Sequence, residues 1–188
     1  VTTLVGIQGN GWSVLGCDSR ISDEDGRFAI SKDPKIVDNN GILIASCGSS
    51  RTANVLHYGY VQPKPTAKED LNIFVSKKFI PEMRKAFVDA GIDMKEDGEV
   101  AENDGGVLIS VKGEIYAIQN DYSWDTDIRN VYVMGSGGDI ALGAMAALGV
   151  SKVKTAAQAE NIIRKAIATA IEYDMYCSEP IHIFTQFK

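Results

Sequence analysis

The sequence predicts a single α/β (α+β) domain, residues 1–188, built as a four-layer α/β/β/α sandwich of two antiparallel sheets. Three observations carry this. Three pairs of apolar runs flank two-residue turns at Asn10-Gly11, Asn40-Gly41 and Lys112-Gly113, the chemistry of tight hairpins. Two stretches of helical periodicity separate the later strands. The element order is strands, two helices, strands, two helices, strand, which places helices outside two packed sheets.

The first hairpin spans residues 1–20. Leu4, Val5 and Ile7, then Trp12, Val14 and Leu15, put apolar side chains on both faces of its strands, the mark of strands covered on both sides. With Asn10 and Gly11 as the turn, paired positions sum to 21. Thr3 then lies opposite Asp18, and Thr2 opposite Ser19. Residues 22–33 are polar and read as an irregular loop with a short strand at 27–30. The second hairpin joins Lys35-Ile36-Val37 to the run at 42–47 and sets Lys35 opposite Ser46. Gly48 falls just past the strand end.

Residues 50–60 read as helix, with Ala53, Val55 and Leu56 as apolar positions. Two prolines within 63–65 break it. From 67 to 90, Leu71, Phe74, Phe79, Met83, Phe87 and Ala90 recur at helical spacing. Pro81 lies inside that pattern, so a kink or two abutting helices are expected, since an interior proline costs about 3 kcal/mol. Residues 93–106 are acidic and glycine-bearing and are expected to form a mobile loop. The third hairpin pairs 107–111 with 114–118. A strand at 131–134 ends in Gly135-Ser136-Gly137-Gly138-Asp139, followed by a helix at 140–148 stopped by Gly149. Thr155 and Gln158 form a capping box for a helix running to about 176. Its stripe is Ala159, Ile162, Ile163, Ala166, Ile167, Ala170 and Ile171. A strand at 181–184 closes the chain.

Composition limits the function. The 188 residues suffice for one sizeable core, and the net charge of −6 argues against nucleic acid or an anionic membrane as a partner, because phosphate contacts need clustered Lys and Arg. No apolar run approaches the roughly 18 residues of a membrane span, and no secretory pattern opens the sequence. A cytoplasmic location is expected. The odd count of cysteines (Cys17, Cys47 and Cys177) at wide spacing suits reduced thiols. With two histidines and no CxxC or HExxH spacing, a structural zinc is not expected.

The opening Thr2-Thr3-Leu4-Val5-Gly6, followed by Gly16-Cys17-Asp18-Ser19-Arg20, resembles the start of proteasome β-type subunits. It also resembles bacterial HslV, which aligns without gaps as far as Asp18. The resemblance covers nearly the whole chain. It implies an N-terminal-nucleophile (Ntn) hydrolase fold and a threonine peptidase in which Thr2 Oγ1 attacks the scissile carbonyl and the Thr2 α-amine acts as base. Asp18 matches the family's aspartate, and Lys35 its lysine after a one-residue insertion, with Lys32 as the competing position. Gly48, in Cys47-Gly48-Ser49, matches the oxyanion glycine; the family has Ala-Gly-Gly there. Ser136 matches the serine that assists the threonine amine. The GSGG turn also invites a phosphate-cradle reading, which the missing P-loop lysine and βαβ context disfavour. Asp174 matches an acidic residue of the family, while Cys177 replaces its serine with a weaker hydrogen-bond donor.

The resemblance implies no metal or organic cofactor. It implies peptide or unfolded-protein substrates, homo-oligomeric stacked rings and an ATPase unfoldase as partner. Small Ser46 near the specificity pocket implies room for a bulky side chain. The departure lies at Val1: while it precedes Thr2, the threonine has no free amine, so the reading requires removal of Val1. Three alternatives stand beside it. One is a ring-forming structural or binding protein without catalysis. Another is an Ntn amidase acting on small amides. The third is a cysteine nucleophile, Cys17 or Cys47 with His57 or His182, against which the apolar strands around both thiols argue.

Overall fold

A computed structural model describes residues 2–23, 25–93 and 102–188. The strands form two main antiparallel sheets. The first contains β1 (Leu4–Gly9), β2 (Trp12–Cys17), β10 (Val131–Met134) and β11 (His182–Phe187) in the order β10-β1-β2-β11. The second contains β5 (Ile36–Asn39), β6 (Ile42–Ser46), β7 (Val107–Val111), β8 (Glu114–Ile118) and β9 (Trp124–Asp125), in chain order. A separate hairpin, β3 (Arg20–Ser22) with β4 (Phe28–Ile30), stands beside them.

Three buried clusters define the four layers. Val5, Ile7, Val14 and the α5 stripe of Ala159, Ile163, Ala166 and Ile167 fill the space between the first sheet and the helices α4 (Gly138–Ala147) and α5 (Ala156–Tyr173). Leu4, Leu15, Cys17, Ile36, Leu43, Ala45, Leu108 and Ile115 pack between the sheets. Ile42, Ile44, Ile109 and Tyr116 cover the other face of the second sheet. They meet residues of the helical segments α1 (Ser50–Asn54), α2 (Leu71–Phe74) and α3 (Ile80–Asp89) and of the turns that extend them. Alternation along β1 and β2 thus feeds two cores from one strand, as expected for strands covered on both faces.

All three hairpin registers follow from their turn residues. Leu4 pairs with Cys17, Ile36 with Ala45 and Val111 with Glu114. The capping box at Thr155 and Gln158 is present.

Other boundaries differ. The helical segment expected over 67–90, with a kink or two abutting helices at Pro81, begins at Leu71, where the Asp70 carboxylate accepts the Ile73 N–H at 3.0 Å. Pro81 causes no break. The preceding turn, Val75–Phe79, is widened to π geometry and runs straight into α3, so the absent N–H and the bulk of the ring are accommodated there. The extra residue explains the five-residue step from Phe74 to Phe79, which keeps both rings, with Met83 and Phe87, on one buried stripe. The helix at 50–60 also finishes in a π turn, Val55–Gly59. Helix α5 stops at Tyr173 rather than near 176, because Asp174 has extended backbone. The loop over 22–33 contains half of the β3–β4 hairpin, β9 adds a short strand, and β11 runs on to Phe187. Most of the expected mobile segment, 94–101, lies outside the described residues.

Candidate active site

Four chain segments converge where β1 begins. The first hairpin brings Asp18 beside Thr3: the Asp18 N–H donates to the Thr3 carbonyl at 3.3 Å, and the Thr3 N–H donates to Asp18 Oδ1 at 2.9 Å. The carboxylate is fully buried. Its Oδ2 accepts the backbone N–H groups of Arg20 at 2.9 Å and Ser178 at 3.3 Å. A buried carboxylate held by these bonds is fixed in place.

The second hairpin delivers Lys35 from just before β5. Its ammonium donates to Asp18 Oδ1 at 2.8 Å and to Thr2 Oγ1 at 3.1 Å. Lys35 is 9% exposed and Thr2 3%. The competing Lys32 is exposed on the loop. The structure therefore brings Thr2, Asp18 and Lys35 together.

The turn after β10 supplies Ser136. Its hydroxyl accepts from the Thr2 nitrogen at 3.4 Å and donates to the Thr2 carbonyl at 3.5 Å. The approach needs glycine at 135: φ there is +85°, and a Cβ would lie 2.1 Å from the Thr2 carbonyl oxygen. The glycine-rich turn is thus packed on the Thr2 main chain, which occupies the position that a phosphate cradle would leave for its ligand.

The segment after α5 supplies Asp174 and Cys177. Asp174 accepts the Tyr176 N–H at 2.9 Å and the Cys177 thiol at 3.3 Å. Burial opposes its ionisation, but hydrogen bonds from the Tyr176 N–H, Ser136 and Cys177 outweigh it and hold the carboxyl below the usual carboxylate range. Cys177 Sγ also lies 2.9 Å from Thr3 Oγ1. The thiol therefore links Asp174 to Thr3 rather than to Thr2.

Gly48 follows β6 with φ +114°. A Cβ there would meet the Asp104 carbonyl oxygen at 2.4 Å. Gly48, Thr2 and Lys35 line one small cleft of about 80 Å³, together with Ile21, Ser22, Ser46, Ser49, Ser50 and Ala53. The sequence expects room for a bulky side chain beside Ser46; the cleft found there is small. Its floor and far wall come from β6 and α1, so Ser46 alone could not reveal its size.

The two other thiols fit no nucleophile. Cys17 is fully buried between the sheets, and burial pushes its thiol up to about 12. Cys47 is half-buried, and its thiol donates to the Gly106 carbonyl at 3.6 Å. His57 has its pKa lowered by burial. Cys177 too is pushed up to about 12, chiefly by burial. These thiols act as packing and hydrogen-bonding groups.

Sequence reasoning missed the parts played by Thr3 and by the backbone of Ser178 and Arg20. The Thr3 position was legible from the 21-sum register. The Ser178 N–H was not, because it arrives from a remote segment. Among the described residues, no group of three or more His, Cys, Asp or Glu could hold a metal ion, and no helix is long and apolar enough to cross a membrane.

No protein-family model matches the chain, and no curated protein matches it by sequence. Solved structures do match. BPH from Thiobacillus denitrificans in complex with epoxomicin has a TM-score of 0.75 at 20% identity, covering 98% of both chains. A second structure of that BPH gives 0.74 at 19% identity, covering 98% of this chain and 97% of that one. HslV from Trypanosoma brucei gives 0.67 at 21% identity, covering 99% of each. The chain therefore shares the fold of these structures, the four-layer α/β/β/α sandwich of two antiparallel sheets expected from the sequence.

Proposed function

We propose that this chain is a threonine-type endopeptidase subunit of a self-compartmentalising, proteasome-like particle. The observation that supports it best is the Lys35 ammonium, 3.1 Å from Thr2 Oγ1 and tied at 2.8 Å to the fully buried Asp18. A positive charge fixed beside that hydroxyl favours the alkoxide that attack requires.

The reaction begins once everything before Thr2 has been removed, which in this sequence includes Val1. The freed α-amine of Thr2 takes the hydroxyl proton, directly or through water, and Ser136, already within 3.4 Å of that nitrogen, orients it. Thr2 Oγ1 forms a bond to the scissile carbonyl carbon. The negative charge on the carbonyl oxygen is received by the Gly48 N–H. The carbon–nitrogen bond then breaks, and the α-ammonium returns its proton to the leaving amine. Water, deprotonated by the same amine, hydrolyses the ester and restores Thr2. Lys35 and Asp18 hold the charge balance throughout. Asp174 and Cys177 position Thr3, and through it the strand that carries Thr2.

The fold shared with HslV and BPH supports homo-oligomeric stacked rings, peptide or unfolded-protein substrates and a cytoplasmic particle fed by an ATPase unfoldase. The test is the intact mass of the purified protein before and after epoxomicin, the ligand of the Thiobacillus BPH structure. That reagent needs a free threonine amine and its hydroxyl. A mass beginning at Thr2 with one adduct per chain supports the endopeptidase. A chain that retains Val1 and takes no adduct refutes it in favour of the non-catalytic ring protein. A panel of fluorogenic peptides set against small amides separates it from the amidase.

A further inference from the structure

The cleft beside Thr2 has a polar wall that the proposed reaction does not use. Along β6 one side-chain column faces the helix layer. Ile42 and Ile44 fill it as core residues, and Ser46 ends it at the cleft. The Ser46 hydroxyl is buried without a hydrogen-bond partner among the described residues, and the residue is 5% exposed. From the β3–β4 hairpin, Ser22 lines the same cleft with a hydroxyl that is also buried and unpartnered. The neighbouring Ser49 is already engaged, capping α1 by accepting the Thr52 N–H at 3.2 Å. Buried hydroxyls left unpaired are unfavourable and uncommon. Two on one small cleft beside a nucleophile point to a ligand group that completes them.

Resting on the endopeptidase reading, we propose that this cleft selects a short carboxamide side chain, that of asparagine, on the residue supplying the scissile carbonyl. The Ser46 and Ser22 hydroxyls are its hydrogen-bond partners. A carboxamide offers both an acceptor and donors and so serves two hydroxyls in any rotor setting. A carboxylate would find no uncommitted cation among the described residues lining the cleft, because Lys35 already faces Asp18. Leucine has nearly the shape of asparagine and would leave both hydroxyls unpaired. The small volume, about 80 Å³, favours a short side chain.

The experiment uses the assembled particle with Thr2 exposed and two fluorogenic peptides that differ only in Asn against Leu before the fluorophore. The expected kcat/KM favours Asn by about tenfold or more. Ser46→Ala brings the ratio to within about twofold of unity, and Ser22→Ala lowers it. The epoxomicin labelling rate of each variant checks that its site is formed. Leu cleaved as well as Asn, or a ratio that Ser46→Ala leaves in place, overturns the proposal. So does labelling of Thr2 with neither peptide cleaved. In those cases the endopeptidase reading survives. If epoxomicin adds no mass to Thr2, the endopeptidase reading itself fails and the selectivity falls with it.

Discussion

Asp18→Ala is expected to destabilise the protein more than Lys35→Met, although the two side chains form one ion pair. Asp18 is fully buried, and Lys35 is 9% exposed. Removing one partner of a buried pair costs about 3–5 kcal/mol, because the other charge is left behind. The two removals are not equivalent. Without Asp18, the ammonium loses its counter-charge, and the N–H groups of Thr3, Arg20 and Ser178 lose their acceptor. Without Lys35, the carboxylate still accepts those three N–H groups. We expect about 4 kcal/mol for Asp18→Ala and about 2 kcal/mol for Lys35→Met. For a chain of this length these become falls in Tm of about 8–16 °C and 4–8 °C.

The assay is thermal unfolding by near-ultraviolet circular dichroism, at one protein concentration because assembly contributes to stability. The double variant Asp18→Ala/Lys35→Met removes the stranded ammonium and is expected to melt above Asp18→Ala alone. Epoxomicin labelling falls about 10²–10³-fold in all three, as for loss of a preorganised electrostatic group. A Lys35→Met protein that melts below Asp18→Ala, or an Asp18→Ala protein within about 1 kcal/mol of the parent, would refute the assignment of Asp18 as the anchor.

Gly48→Ala places a Cβ 2.4 Å from the Asp104 carbonyl oxygen at a φ of +114°; urea unfolding is expected to show a loss of about 2 kcal/mol or more, with loss of epoxomicin labelling. Cys177→Ser keeps the bonds to Thr3 and Asp174 with a stronger donor, so stability should stay within about 1 kcal/mol of the parent and labelling should persist, whereas Cys177→Val breaks both bonds and slows labelling. The depressed pKa of Asp174 makes its contribution to stability full above its unfolded value, near 4, and lost as pH falls through the lower folded value. The Tm gap between the parent and Asp174→Asn should therefore be constant from about pH 5 upward and narrow in acid. Cys17 and Cys177, buried with thiols raised to about 12, should resist iodoacetamide at neutral pH until urea unfolds the chain, as peptide mapping would show.

The three hairpins were legible because an Asn-Gly or Lys-Gly turn fixes register, and register fixes every pair beyond it. Asn40 and Gly41 adopt φ of 59° and 84°, Lys112 and Gly113 51° and 77°, the left-handed geometry such turns require. What the sequence hid was geometry that local pattern does not encode. The π turn before Pro81 was visible only as a five-residue step between Phe74 and Phe79, which an α-helical template scores as a mismatch. The end of α5 was missed because Tyr173, Met175 and Tyr176 prolong an apolar pattern on residues that are exposed. The short strand expected at 27–30 is β4, but its pairing with β3 was not marked, because no two-residue turn joins them and β4 is exposed.

The legible part of the site follows from the same physics. Thr2, Asp18 and Lys35 sit at strand ends whose positions two hairpin turns determine. Two independent registers, one summing to 21 and one to 81, bring an ammonium within about 3 Å of both a hydroxyl and a carboxylate. The rest comes from chain that no local register reaches: the Ser178 N–H on Asp18, the Cys177 thiol on Thr3 and the Ser136 hydroxyl on the Thr2 nitrogen, the last expected only from the family resemblance. Each arrives from beyond residue 130, brought in by β10 and β11 on the two sides of the first hairpin. The amino-terminal half of the chain thus carries Thr2, Asp18 and Lys35, and the carboxyl-terminal half adds hydrogen bonds that help to hold them. A stability defect introduced at Cys177 or Ser136 should therefore appear first as misplacement of Thr2, seen as slower labelling, before it appears as a lower Tm.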